Sequence, residues 1–89
     1  MLHIESADWR GGHRLELSFD NGESKTVDVF PLLDGPIFQP LHDIDHFAQV
    51  SIDPIARTVV WPNGADLAPE ALYALSPVAI AERPEGLRK

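Results

Sequence analysis

Two imidazoles flank two carboxylates in His42-Asp43-Ile44-Asp45-His46. On one continuous helix, positions i and i+4 share a face, so His42 and His46 could hold a divalent metal between them and support a small metal-dependent enzyme. The same five residues also read as a helix start, with Asp43 capping the first backbone amides, Asp45 favouring the positive end of the dipole and both histidines at the surface. No third ligand lies nearby in the sequence, and the second reading accounts for every residue type, so neither a metal nor another cofactor is expected.

Trp61-Pro62-Asn63-Gly64-Ala65-Asp66 is the second chemically distinctive stretch. A large aromatic beside a proline turn and a carboxylate suits a small recognition surface. Local structure explains the same residues: Trp61 ends a strand and packs under the final helix, Pro62-Asn63-Gly64 turns the chain, and Asp66 satisfies amides at the turn or at the next helix start. Trp9, beside Arg10-Gly11-Gly12, suits an exposed sheet edge where a partner binds. The candidate binding residues are therefore Trp9, Asp43, Trp61, Asn63 and Asp66. No catalytic residue is assigned. None of the fourteen Asp and Glu forms a pair marked out by its surroundings, no serine sits in a nucleophile elbow, and no glycine-rich phosphate loop precedes a helix. With no cysteine, thiolate chemistry and disulfides are excluded. The pattern favours a binding or structural module over an enzyme.

The elements that must carry these residues are short. Leu15, Leu17 and Phe19 alternate with Glu16 and Ser18, and Asp20-Asn21-Gly22 turns the chain into Lys25-Thr26-Val27-Asp28-Val29. Leu2-His3-Ile4-Glu5 also alternates and Gly11-Gly12 supplies a second reversal, which predicts a three-strand antiparallel meander over residues 2–29. Phe30-Pro31-Leu32-Leu33 and Asp34-Gly35-Pro36 end that sheet in a short helical turn or loop. Residues 37–41 contain Pro40 and pack irregularly, leading into a brief helix over residues 43–47 with Asp43 as its N-cap. A second hairpin pairs residues 49–52 with 58–61 across Asp53-Pro54-Ile55-Ala56-Arg57. Residues 66–75 then form a helix with Pro69 in its first turn and Leu67, Leu72 and Leu75 toward the core. Ser76 and Pro77 suit one more helix start, stopped by Arg83-Pro84-Glu85-Gly86, with disorder beyond Arg83.

These elements define an α+β fold: an antiparallel sheet of two hairpin units, a three-strand meander plus a β-hairpin, with short helices packed on it. Residues 1–75 form one domain and residues 76–89 a short, partly disordered tail. At 89 residues one modest core is expected. The net charge of −7 is unevenly spread: residues 26–56 contain no Lys or Arg but hold Asp28, Asp34, Asp43, Asp45 and Asp53. Four cations meet twelve carboxylates in residues 1–75, a charge of −8 that repels phosphate backbones and disfavours nucleic acid as a partner of this domain alone. A basic protein partner fits better, although the same charges also serve solubility. Met1-Leu2-His3-Ile4-Glu5 lacks the pattern of a signal peptide and no apolar run reaches membrane-spanning length, so a soluble cytoplasmic protein is expected.

Asp20-Asn21-Gly22, Val27-Asp28-Val29, Leu32-Leu33, Gly35-Pro36-Ile37-Phe38, Pro40-Leu41, Asp43, Phe47 and Trp61-Pro62-Asn63-Gly64-Ala65-Asp66 together resemble the domain-of-unknown-function family 2442 (DUF2442). The resemblance runs from Ile4 to about Leu75 and leaves the tail outside. It implies a small prokaryotic α+β domain without an assigned activity. It also implies two settings: some members are followed by a helix-turn-helix DNA-binding domain, for which the residues after Leu75 leave no room. Others are encoded beside a small partner, as in a toxin and antitoxin pair. Asp43 and Phe47 match the family pattern, whereas His42 and His46 do not. The preferred expectation is a protein-interaction module that binds a basic, neighbouring protein in the manner of an antitoxin. The alternatives are the metal-dependent enzyme on His42 and His46, and a self-associating structural domain that dimerises through an edge strand or residues 77–80.

Overall fold

The structure, a computed structural model, describes residues 1–78. Strands β1 (Ile4–Trp9), β2 (Arg14–Phe19) and β3 (Ser24–Asp28) form an antiparallel sheet in the order β1-β2-β3. The alternation of β2 sets its faces: Leu15, Leu17 and Phe19 are buried, while Glu16 and Ser18 stay partly open to solvent on the other side. At the β2–β3 turn Gly22 takes φ 91°, the Asn21 carboxamide oxygen accepts the Glu23 amide, and the Gly22 amide donates to the Phe19 carbonyl.

The apolar residues of β1 do not keep a strict alternation, and its register shows why. Ile4 pairs with Phe19 but Ser6 with Ser18, leaving Glu5 as an extra residue in a β-bulge. Past the bulge Ala7 lies opposite Leu17 and Trp9 opposite Leu15. The bulge thus brings both Ile4 and the pair Ala7 and Trp9 to the apolar face.

After β3 the chain makes a 3-10 turn over Phe30–Leu32 and a longer 3-10 segment over Pro36–His42 that includes Pro40. Helix α1 (Ile44–Phe47) follows, and β4 (Ser51–Asp53) and β5 (Thr58–Val60) pair as a separate two-stranded sheet. The first of these strands starts two residues later than the sequence predicts. The amides of Gln49 and Val50 donate back to the carbonyls of His46 and Phe47, so the end of α1 takes them. The hairpin lies beside β1 without joining its sheet, tied to it where the Ile4 amide donates to the Arg57 carbonyl.

The last helix, α2, spans Pro69–Tyr73, shorter than the predicted 66–75. Asp66 pairs with Val60 in an isolated antiparallel bridge, and Ala68 is extended ahead of Pro69, so the helix begins only at the proline. Lys25 closes its other end by donating Nζ–H to the carbonyls of Tyr73 (2.5 Å) and Leu75 (2.6 Å). Leu67 and Leu72 are buried as predicted, and Leu75 packs at the margin of the core.

One hydrophobic cluster joins both sheets, with Phe19, Phe47 and Trp61 as its largest members. The buried hydroxyl of Thr58 donates to the Leu67 carbonyl at 2.6 Å. The predicted helix start at Ser76 and Pro77 does not form. Both residues are non-helical and the Val78 amide donates to the Thr26 carbonyl of the β3 edge. The expected helix stop at Arg83-Pro84, the disorder beyond Arg83 and the far end of the 77–80 segment lie outside the described residues. No helix among the described residues is long and apolar enough to cross a membrane.

Candidate functional site

Asp43 begins the site. It is extended (φ −75°, ψ 125°) and, as the sequence predicts, caps α1: its Oδ2 accepts the His46 amide at 3.4 Å and lies 2.6 Å from His46 Nδ1. This geometry corrects the premise of a two-histidine metal clamp. His42 ends the 3-10 segment, and the extended Asp43 breaks the helix before His46, so the two rings are not one turn apart on one helix. His42 Nε2 faces the Leu33 carbonyl at 2.7 Å. Among the described residues, no three His, Cys, Asp or Glu gather as a metal site would require.

Helix α1 drives Phe47 into the core against Trp61, with ring centroids 5.5 Å apart. Trp61 is 2% exposed and donates its indole N–H to the Phe47 carbonyl at 2.8 Å. Its side chain therefore holds α1 from beneath, whereas the sequence predicts it under the final helix. Asn63 makes two bonds: its carboxamide N–H donates to the Ile37 carbonyl at 2.9 Å and its Oδ1 accepts the Ala65 amide at 3.1 Å. The Trp61-Pro62-Asn63-Gly64 turn thus staples the 3-10 segment to the second sheet. Asp66 is exposed next to this turn. Asp43, Trp61 and Asn63 come together; Trp9 stands apart at the far end of β1, 42% exposed, with its indole N–H on the Gly12 carbonyl at 2.9 Å.

Two residues that sequence reasoning left without a role complete the arrangement. His13, just after the Gly11-Gly12 turn, sits 4.9 Å from the Phe47 ring and 5.0 Å from Phe30, and its Nε2 faces the Leu41 carbonyl at 2.9 Å. Phe30 also lies 5.0 Å from the His42 ring. A carbonyl only accepts, so both Nε2 atoms carry the proton and donate. Three side chains, His13, His42 and Asn63, therefore hold backbone carbonyls in and around a segment whose own residues, Leu41 apart, are not fully buried. Neither His13 nor Phe30 belongs to a periodic pattern, so only their aromatic character marked them in the sequence.

The stretch of chain from Asp28 to His46 also carries exposed side chains of two kinds. Phe30, Ile37 and Ile44 are 46%, 50% and 43% exposed, and Asp28, Asp34, Asp43 and Asp45, interspersed with them in the sequence, are exposed. Asp28 adjoins Phe30 directly, its Oδ1 accepting the Phe30 amide at 3.0 Å. Next to α1 opens a cleft of about 240 Å³ lined by Pro40, Leu41, His46, Gln49, Pro62 and Asn63. The perturbed ionisable groups lie elsewhere. Asp20 is held below its usual pKa by the His3 amide and then the His3 ring, and Tyr73 is raised by its hydrogen bond to Glu23.

The family described as proteins of unknown function, DUF2442, matches residues 4–78, nearly all that the structure describes. The chain belongs to the DUF2442 family. The α+β architecture agrees with what the sequence resemblance implied. No curated protein matches the chain. Among solved structures it is similar to that of "Putative DNA Binding Protein NE0471" from Nitrosomonas europaea ATCC 19718, at 27% identity and a TM-score of 0.62. The similarity covers 70% of this chain and 41% of that one, so this DUF2442 chain matches less than half of the longer protein.

Proposed function

We propose that this DUF2442 domain is a protein-interaction module that binds a basic partner, in the manner of an antitoxin bound to a neighbouring gene product in the cytoplasm. The observation that carries the reading is the coincidence, between residues 28 and 46, of three half-exposed apolar side chains with four exposed aspartates and no fixed cation. Apolar anchors supply affinity when a partner covers them, and the acid rim speeds encounter with a positive surface and rejects negative ones. Of the candidate residues, Asp43 contributes to this rim, Trp61 and Asn63 position it, and Trp9 and Asp66 supply further polar and aromatic surface.

Copurification and calorimetry with the product of the adjacent gene test this. Association at micromolar concentration that weakens as salt rises, and weakens about tenfold or more in Phe30→Ser or Ile44→Ser, is expected of apolar anchors in an acid rim. Circular dichroism establishes that both variants remain folded. No association in low salt overturns the reading.

The name of the Nitrosomonas europaea protein favours a second reading, in which the domain contributes to DNA binding. The charge of −8 over residues 1–75 opposes it. Fluorescence anisotropy with duplex DNA at low salt separates the two, since saturable binding by this chain alone would favour the second.

A further inference from the structure

Resting on the protein-interaction reading, we propose that the cleft beside α1 receives one tyrosine side chain of the partner, with its ring in the cleft and its hydroxyl donating to His46. Size sets the first limit. At about 240 Å³ the cleft exceeds the roughly 150 Å³ cavity that takes one benzene ring and falls below the roughly 300–1,000 Å³ of pockets for drug-sized ligands, so one substituted ring is the occupant of matching size. The lining sets the second. Pro40, Leu41 and Pro62 are apolar, and both polar groups of Asn63 are already bonded, one to the Ile37 carbonyl and one to the Ala65 amide. A charged occupant would lose its hydration there without replacement, whereas an aromatic ring packs on the two prolines and the leucine.

The little polarity that remains calls for a neutral donor. An ionised Asp43 carboxylate only accepts, so His46 Nδ1, 2.6 Å from it, carries the proton, and Nε2 of the neutral ring is left as an acceptor. His46 lines the cleft with a side chain that is 62% exposed, and its Nε2 has no hydrogen-bond partner among the described residues. Gln49 donates its carboxamide N–H to the Asp45 carbonyl, which leaves its side-chain oxygen as a second acceptor. Tyrosine has the same division, an apolar ring with a single O–H, and is enriched at interfaces for that reason. The occupant comes from a different protein. This chain has one tyrosine, Tyr73, whose ring packs on Phe19 at 5.1 Å and whose hydroxyl donates to Glu23 at 2.8 Å, so a second copy has none to offer.

The test is a titration of the isotopically labelled 89-residue chain with N-acetyl-tyrosinamide, N-acetyl-phenylalaninamide and N-acetyl-leucinamide, followed by NMR of the amides and of the His46 ring nitrogens. The expected result is saturable shifts at Leu41, His46, Gln49 and Asn63. The tyrosine compound should bind about threefold or more tightly than the phenylalanine compound, the lower range for one hydrogen bond, and should move the Nε2 resonance in the sense of an accepted proton. His46→Phe keeps a ring and removes the acceptor, so the preference for tyrosine should vanish while both aromatic compounds still bind. Gln49→Trp should fill the cleft and abolish the shifts. Both positions are exposed, and circular dichroism establishes that both variants are folded. Equal affinity for the tyrosine and phenylalanine compounds, tighter binding of the leucine compound, shifts that persist in Gln49→Trp, or no shifts at these residues overturns the assignment. A partner that binds wild type and Gln49→Trp equally also overturns it while the interaction reading stands. Tyrosine-selective shifts without partner association overturn the interaction reading instead.

Discussion

At the scale of single residues, Trp61 and Asp20 show how much rests on one polar atom. Replacing Trp61 by Phe keeps an aromatic ring but removes the donor to the buried Phe47 carbonyl. Leaving that acceptor unpaired and the ring undersized should cost about 2–3 kcal/mol, read from urea denaturation. Asp20 acts through charge. It accepts the His3 amide at 3.1 Å and lies 2.9 Å from His3 Nδ1, and these contacts hold its folded pKa below the ordinary 3.8. A carboxyl lowered on folding adds stability that is complete above its unfolded pKa and is lost as pH falls through the folded one. Denaturation of wild type and Asp20→Asn should therefore differ at neutral pH and converge as the pH drops below 3.8. Asn at this position retains an acceptor for the His3 amide, so the convergence isolates the charge.

At the scale of elements, what the sequence made legible was whatever local chemistry decided. Alternation in β2, the Asn21-Gly22 turn, the Asp43 cap and Pro69 at the helix start each act within a few residues, and the fold contains all four. The departures come from partners distant in the chain. Val60 holds Asp66 out of α2, and Thr26 holds Val78 out of a helix. The cleft was illegible for the same reason, since its lining comes from three separate segments. The bulge at Glu5 lay in plain view as a slip from Ile4 to Ala7 and Trp9, an apolar spacing that neither a helix nor a regular strand explains. One backbone feature yields a test. Arg57 closes the β4–β5 loop at φ 58°, the only non-glycine with positive φ among the described residues. The left-handed conformation costs an ordinary residue roughly 1–2 kcal/mol, and glycine's extra unfolded freedom takes back about half, so Arg57→Gly should stabilise the fold by roughly 0.5–1 kcal/mol. Chemical denaturation at moderate salt measures it.

At the scale of the whole molecule, one small core supports two sheets, and the stability expected for 89 residues is about 4–13 kcal/mol. Phe47 touches Trp61 and His13 and closes α1 onto that core. Phe47→Ala should remove about 3–5 kcal/mol, enough to bring a marginal domain close to unfolding at 25 °C, with a matching fall in the midpoint of a urea titration. The two indoles also furnish the protein with its own optical probes. Trp61 is sealed in the interior, whereas Trp9, at the end of β1, is half open to water. In Trp9→Phe the remaining emission belongs to a single indole two positions from Asn63, whose colour tracks loss of the interior without any attached dye. In the unaltered chain, a quencher dissolved in the buffer reaches Trp9 first, so differential quenching distinguishes a partner seated over β1 from one seated beside α1.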